Sequence, residues 1–461
     1  MRFDPEMAAI RFGCGLSPSL PAPRSADEML SRLAGPDHAA RAFPMPGYEV
    51  ALDNRRKVRA ARRAYKAATV DAERETLKQE MRQARRAAFQ DGATWFGQTL
   101  LRRALAEDGF RERLAAFWAD HFTAAGRSGL MRDAHALYAE EAIRPHVAGR
   151  FADMLRAAET HPMMLAYLDQ RRSTGPNSRR AARRGEKTGL NENLAREMLE
   201  LHTLGVGGPY TQRDVRQLAE LLTGLTYTRR GMRFRPGMAE PGAETVLGRD
   251  YGGGKARLED IFAALDDLAR HRATAAHLSR KLAVHFVSDT PDAGLVADMT
   301  ARFLETDGNL TELYAAMLAH PAAWMAEGGN VKQPMDFVGS ALRALDIGPR
   351  HMPLDRLGRM RGLFLGPLEL MGQSWGRPGG PDGWPEADGA WITPQRLAAR
   401  LQWAMTVPFR LRGVLPDPRD FVAVALGGRA SDAVRFAASA AETRAEGIGL
   451  VLASPDFQRM S

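Results

Sequence analysis

The chain has 461 residues, of which 44% are hydrophobic and 26% charged, a balance that is ordinary for a globular protein with a large core. No apolar run is long enough to span a bilayer, and a single cysteine, Cys14, excludes an internal disulfide. The net charge of +9 is uneven, because residues 55–86 contain 12 Lys or Arg against 4 Asp or Glu.

Helical periodicity dominates and predicts a mainly α protein, a multi-helical globular bundle with one projecting basic helical segment and long irregular loops. Residues 1–50 are Pro-rich and are expected to wrap the surface. Residues 51–91 are predicted to form one long helix or a helical hairpin that projects, because its apolar stripe is thin. The basic stretch between Arg55 and Arg86 is either a solvated surface or a site for an anionic surface or nucleic acid.

Residues 92–225 are predicted to form a helical core that ends in a signature helix pair. Residues 226–256 lose the helical period and are expected to be irregular or a small β insert. Residues 257–461 return to helical periodicity and include an irregular Gly/Pro/Trp loop at 372–391. The first helices of this region are predicted at 258–270, 272–287, 292–306 and 310–319.

The first helix of the signature pair separates its polar groups from His202. At about 100° per residue, His202 lies in the middle of the apolar face, away from Glu197 and Glu200. A di-iron carboxylate bundle needs Glu-x-x-His side chains that project inward together, so no such site is predicted, and no other metal ligand set is predicted either. The polar face is explained either by surface ion pairs or by the lining of a polar pocket. Its candidate binding residues are Asn191 as an N-cap, Glu192, Asn193 and Arg196, with Thr211 and Asp214 as a capping box.

His121 recurs at helical spacing with Phe117 and Trp118, so it is also predicted to point into the core. Such a histidine is most often neutral and bonded to a carbonyl or carboxyl group. The alternative is a general base or a metal ligand in a pocket beside His202. Asp120 is adjacent but points about 100° away around the helix. The candidate catalytic residues are therefore His121, Glu197, Glu200 and His202.

The late Gly/Pro/Trp loop contains two further signals. The sequence GQSWG at 372–376 fits the G-x-S-x-G pattern, but no strand is predicted before it and prolines forbid a helix after it. A serine hydrolase is therefore not expected. Trp384 and Trp391 are candidate binding residues, which either stack on a sugar or a partner or anchor the loop to the core.

Six collinear motifs resemble one family. The segment NENLAREMLELHTLG at 191–205, followed by YTQRDV and LTG, resembles the signature of the bacterial domain-of-unknown-function family 1800. The other motifs are AIRFG at 9–13, FWADHF at 117–122, ATA…KLA at 273–283, KQP with RAL at 332–345, and MGQ…DGWP…W at 371–391. The resemblance covers nearly the whole chain and implies a mainly helical protein without an assigned activity.

The resemblance also implies a partner. Members of family 1800 often accompany exported proteins of the family numbered 1501, which resembles sulfatases and phosphatases. The N-terminus, MRFDPE, has no basic start followed by an apolar stretch, so no signal peptide is predicted. The expected location is cytoplasmic, or periplasmic after co-export with a partner that carries a signal.

Three functions remain open at this point. The first is a binding, assembly or escort protein for an exported hydrolase-like partner, because no catalytic motif is complete. The second is an enzyme with a polar pocket lined by the signature helix and core histidines, and the third is nucleic-acid or anionic-surface binding. Histidines that converge with Asp or Glu in a cleft would favour the enzyme. No cofactor can be assigned.

Overall fold

A computed structural model describes residues 3–126, 129–184, 189–325 and 329–461, and only the backbone of Arg184. The protein is mainly helical, which confirms the predicted fold class. None of the helices in these ranges is long and apolar enough to cross a membrane.

Among the described residues before Leu225, the regular elements are helices. These helices are α1 (Pro5–Met7), α2 (Ala26–Ala34), α3 (His38–Ala42), α4 (Tyr48–Ala67), α5 (Asp71–Leu105), α6 (Gly109–His121), α7 (His135–Tyr138), α8 (Phe151–Thr160), α9 (Pro162–Tyr167), α10 (Arg179–Arg184), α11 (Asn193–Glu197) and α12 (Gln212–Leu221). Wider π turns continue α1 over Ala8–Phe12, α7 over Ala139–Ile143 and α11 over Met198–His202.

Two antiparallel hairpins follow, and helices then resume. The strands are β1 (Leu225–Thr228), β2 (Gly231–Phe234), β3 (Gly242–Val246) and β4 (Arg249–Gly254). The later helices are α13 (Leu258–Arg270), α14 (Arg272–Phe286), α15 (Ala293–Glu305), α16 (Leu310–Ala319), α17 (Pro334–Ala344), α18 (Leu357–Met360), α19 (Gly366–Leu370), α20 (Pro394–Arg412), α21 (Pro418–Leu426), α22 (Asp432–Ala440), α23 (Arg444–Ala453) and α24 (Pro455–Gln458).

Two clusters of buried apolar side chains form the core. The first includes Trp118, and the second includes Phe337 and Trp403. Helix α5 takes part in both, since Trp95 is buried in the first cluster and its neighbour Phe96 in the second. Adjacent residues of a helix point about 100° apart, so one helix can separate two cores.

Helices α4 and α5 form a hairpin, one of the two forms predicted for the basic segment. Val58 and Ala88 are buried, whereas most of the Lys and Arg side chains at 55–86 are exposed. Residues 68–70 make the turn.

The signature pair differs from the prediction at its first residue. Helix α11 begins at Asn193 and is flanked by Glu192, so the prediction that Asn191 is the N-cap was wrong. The side-chain amide of Asn191 donates to the carbonyl of Leu168 at 2.8 Å. Its side-chain oxygen accepts the N–H of Asn193 at 3.0 Å. Asn191 therefore joins the helix start to the preceding turn from one residue outside the cap.

The second helix of the pair begins as predicted. Thr211 and Asp214 form a complete capping box at the start of α12. Asp214 also accepts the N–H of Leu247 at 2.8 Å, in the turn between β3 and β4. The capping residues therefore also fix the position of the second hairpin.

Candidate functional site

A cavity of about 170 Å³ lies where the two apolar clusters meet. Its walls come from α5, α6, α7, the start of α17 and the loop after α19. Among its lining residues are Asp120, Gln333, Gln373 and Trp384, which belong to three separate chain segments. These segments carry three of the motifs described above: FWADHF, KQP and MGQ…DGWP. The fold therefore brings together residues that are more than 250 positions apart.

One wall of the cavity is a buried ion-pair triad. Asp336 accepts from Arg113 at 2.7 Å and also pairs closely with Arg103. All three side chains are at least nine-tenths buried. Burial by itself would raise the pKa of Asp336, but the charges of Arg113 and Arg103 outweigh it and lower the pKa to about 2. The triad is a fixed, fully ionised part of the wall.

The other arginines of the lining are also paired. Arg102 binds Glu140 at 2.6 Å, and Arg144 binds Glu112. Each guanidinium group named here contacts a carboxylate within the protein, and Arg103 and Arg113 share Asp336. A ligand in the cavity therefore meets arginines that already have acidic partners, which favours an uncharged molecule over an anion.

A chain of hydrogen bonds continues from the triad along α14 and the late loop. His285 Nδ1 lies 2.9 Å from a carboxylate oxygen of Glu386, and its Nε2 lies 3.3 Å from Arg113 Nη2. Because a carboxylate only accepts and a guanidinium only donates, Nδ1 carries the proton and Nε2 the lone pair. Gln333 donates to Glu386 at 3.3 Å and accepts from Gln373 at 2.9 Å. The chain joins α6, α14, α17 and the late loop.

Asp120 is the titratable group that stands out. It lines the cavity, and both carboxyl oxygens accept the N–H of Trp384, at 3.0 and 3.1 Å. Burial, reinforced by the negative charge of Glu386, raises the pKa of Asp120 to about 8. The neighbouring Lys281 is affected in the opposite sense, because burial lowers its pKa against the attraction of Asp120. A carboxyl group that keeps its proton at neutral pH can act as an acid.

Gly383 allows the late loop to close over Asp120. It has φ +84°, and a Cβ there would lie 2.5 Å from Asp120 Oδ2. We expect Gly383→Ala to displace the loop and destabilise the protein by about 1–3 kcal/mol, from backbone strain alone. Gly389→Ala is the control, because a Cβ on Gly389 meets no atom within 4 Å. Equal urea midpoints for the two variants would show that the close approach of the loop to Asp120 is unimportant.

The two histidines predicted from the sequence lie together outside the cavity lining. Their ring centroids are 6.0 Å apart, and both side chains are buried. His202 donates from Nδ1 to Glu159 at 2.6 Å, and His121 Nε2 lies 3.2 Å from the carbonyl of His202. Burial, with the charge of Lys281, holds the pKa of His121 well below its usual value, so it is neutral. Their catalytic role stays a prediction.

The polar face of the signature helix forms a surface network. Arg196 pairs with Glu192 and Glu200, each at 3.4 Å, and Gln212 joins Arg196 and Glu192 at 2.9 Å. These are the predicted i,i+4 pairs, extended across to α12. Glu197 is half-buried, and burial raises its pKa. None of these residues lines the cavity, so their binding role also stays a prediction.

The tryptophans of the late loop have different environments. Trp384 lines the cavity, whereas Trp391 is fully buried and its Nε1–H donates to the carbonyl of Pro385 at 3.0 Å. Trp391 therefore anchors the loop. Ser374 also lines the cavity, but α19 precedes it and a turn follows it, so the strand–helix nucleophile elbow is absent there.

Apart from Trp384, sequence reasoning missed the residues that build the cavity. Asp120 was set aside because it points away from His121, and that direction leads to the cavity. A signal existed on α14, where His277, Lys281 and His285 recur at i, i+4 and i+8 and so lie on one face. Three polar groups in one stripe of a helix indicate a polar partner across it. The identity of that partner, Glu386 in a distant loop, could not be read from the spacing.

The comparisons with known proteins agree with the motifs. The family model described as "Protein of unknown function (DUF1800)" matches residues 9–459. The chain belongs to this family. Neither the curated proteins nor the solved structures gave a match. In the part of the chain that the structure describes, no group of three or more His, Cys, Asp or Glu side chains is placed to hold a metal ion.

Proposed function

We propose that the protein is an enzyme that catalyses an acid–base reaction on a small, uncharged polar substrate in this cavity. The observation that supports the proposal best is Asp120, a carboxyl group with a pKa of about 8 in a wall where the arginines are already paired. Perturbed carboxyl groups of this kind are concentrated at active sites. The convergence of separate family motifs on the same cavity supports the same conclusion.

Each polar group has a part in this proposal. Asp120 donates its proton to an oxygen or nitrogen of the substrate, and the resulting carboxylate is stabilised by the Trp384 N–H and by Lys281. His285 is a positioning residue, because it connects Glu386 to Arg113 and so holds the loop against the ion-pair wall. Trp384 and Phe117 supply apolar surface for the substrate.

The test compares the protein with its Asp120→Asn variant in a small-molecule extract of its own source cells. Mass spectrometry follows which neutral polar compounds are consumed and which are formed. We expect the wild-type protein to convert at least one compound and the variant to be slower by about 10²–10⁴-fold, the usual contribution of a general acid. Asp27→Asn, which changes an exposed carboxyl group on α2, is the control and keeps full activity.

Two results would contradict the enzyme proposal. Conversion at equal rates by the wild-type protein and Asp120→Asn would remove Asp120 from the mechanism. A compound that is retained unchanged on the protein would show that the cavity binds without catalysis. Urea unfolding of the wild-type protein and of Asp120→Asn is measured first, so that a loss of folded protein is not taken for a loss of activity.

A second candidate function, assembly with a partner protein, is supported by a different surface. Leu401, Met405 and Phe409 recur at i, i+4 and i+8 on α20 and are 38%, 39% and 56% exposed. An exposed apolar stripe at helical spacing is typical of a surface that receives a partner. On this proposal the partner is an exported protein of the sulfatase- and phosphatase-like family 1501, which the protein accompanies as an escort.

The assembly proposal is tested by co-expression with such a partner and size-exclusion chromatography. We expect co-elution with the wild-type protein and loss of most of the complex with Phe409→Ser. Val206→Ser, at a separate position that is 78% exposed, is the matched control and leaves the complex intact. Separate elution of the wild-type protein and the partner would contradict this proposal.

A further inference from the structure

The hairpin of α4 and α5 has one basic face. At about 100° per residue, six of the seven Lys and Arg residues of α4 within 55–66 fall in an arc of about 120°, and so do all five of α5 within 74–86. We call this set the basic face. Its members are Arg55, Arg56, Arg59, Arg62, Arg63 and Lys66 on α4, and Arg74, Lys78, Arg82, Arg85 and Arg86 on α5.

The two arcs lie on the same side of the hairpin. In α4, the centre of the basic arc is rotated about 110° from the side that carries Val58 and Tyr65, and Tyr65 contacts Arg74 of α5. In α5, the centre of the basic arc is rotated about 90° in the same sense from the side that carries Met81 and Ala88. The helices are antiparallel, so rotations of the same sense bring both arcs to one face.

Few of these charges are neutralised within the protein. On the basic face, Lys78 pairs with Glu75 at 2.9 Å and Arg56 lies 3.6 Å from Asp53. No ion pair is found for Arg59, Arg62 or Arg82 in this hairpin, which the structure describes throughout. This contrasts with the cavity, where the arginines are paired. Unpaired and exposed charges in two rows are available to an external anion.

We propose that the basic face binds the anionic surface of a phospholipid membrane. Two packed helices lie about 8–10 Å apart, so the face is flat and about 17 Å long over the 11-residue rise from Arg55 to Lys66. A flat layer of lipid phosphates meets both rows at once, whereas the convex surface of a nucleic-acid duplex meets mainly one. Arginine, which is in the majority here, pairs with phosphate oxygens in a bidentate manner.

The composition of the face also argues against single-stranded nucleic acid. Binding of single strands uses aromatic side chains on which bases stack. Tyr65 packs beneath Arg74, with 5.4 Å from the guanidinium to the ring centroid, and Phe89 lies beneath Arg361 at 5.5 Å. The aromatic rings of the hairpin nearest to the arginines are therefore covered.

The test measures co-sedimentation of the full chain with vesicles of phosphatidylcholine alone and of phosphatidylcholine mixed with phosphatidylglycerol. We expect binding to the mixed vesicles only, and weaker binding as salt is added. The double variant Arg59→Glu/Arg82→Glu reverses one charge in each row. Its partition onto the mixed vesicles should fall at least roughly tenfold, given the usual contribution of each basic residue near an anionic membrane.

A matched control separates the face from net charge. Lys57→Glu/Ala64→Glu/Gln83→Glu changes the net charge by the same four units, but on the opposite side of the hairpin, and all three residues are exposed. This variant should bind within roughly twofold of the wild-type protein, since its basic face is intact. Circular dichroism confirms that both variants keep their helical content.

Three outcomes would overturn the proposal. Equal loss of binding in the two variants would show a non-specific effect of net charge. Binding to duplex DNA in place of the mixed vesicles would make nucleic acid the ligand. Absence of binding to either would leave the basic face as a solvated surface. None of these outcomes depends on Asp120 or the cavity, so this test and that of the enzyme proposal are independent.

Discussion

Asp336→Ala is expected to lower the free energy of unfolding by about 3–5 kcal/mol, because it leaves Arg103 and Arg113 buried without a counter-charge. Urea unfolding at neutral pH measures the change. An unfolding free energy within about 1 kcal/mol of the wild-type value would show that the triad is not the main support of this wall.

The control for the triad is an exposed ion pair. Glu305 lies 3.5 Å from Arg302, and the two side chains are 65% and 45% exposed. Glu305→Ala should leave the urea midpoint unchanged within error, since exposed pairs are screened by solvent. The triad also predicts that the free energy of unfolding depends on pH. The pKa of Asp336 is lowered to about 2, so its contribution to stability is complete above its unfolded pKa and is lost as the pH falls towards 2.

The contribution of Asp120 to stability is expected to change with pH in the sense opposite to that of Asp336, and Asp120→Asn removes this contribution. The pKa of Asp120 is raised to about 8 in the folded protein, against an ordinary value near 4 in the unfolded chain. The folded state therefore holds this proton more tightly. The stability of the wild-type protein relative to Asp120→Asn is greatest below pH 4. It falls by about 1.4 kcal/mol per pH unit as the pH rises to 8.

The measurement is a series of urea unfolding curves between pH 4 and pH 8 for both proteins. Subtracting one series from the other removes the titration of all other groups. Asp27→Asn is again the control and should run parallel to the wild-type protein at every pH, because its side chain is exposed. Parallel curves for the wild-type protein and Asp120→Asn would mean that Asp120 is ionised at neutral pH, and the proposed acid would be lost with it.

The elements of this fold were predictable from the periodicity of the chain. The helices predicted at 258–270, 272–287, 292–306 and 310–319 agree with α13 to α16 within one residue at each end. The apolar face of the signature helix, with His202 at its centre, is buried as predicted. These successes share one cause, since helix bounds and faces depend on neighbours in the sequence.

The cavity was not predictable in the same way. His121 was singled out because it lies on a periodic apolar face, and for the same reason it is packed in the core. Asp120 breaks that period and gains its raised pKa from burial and from Glu386, which is 266 positions away. The local pattern of a helix identifies which of its side chains face the core. It does not identify which distant carboxylate or loop will share a cavity with it.

By itself, the sequence determined the family, the helical class, the caps at Thr211 and Asp214, and the excess of charge at 55–86. Only the tertiary structure decided which charges are neutralised and which are free. The arginines of the cavity are paired because two cores close around them and desolvate them, so each needs a carboxylate. Most basic side chains of the hairpin have no ion pair because they are exposed to water, where a charge has no such requirement.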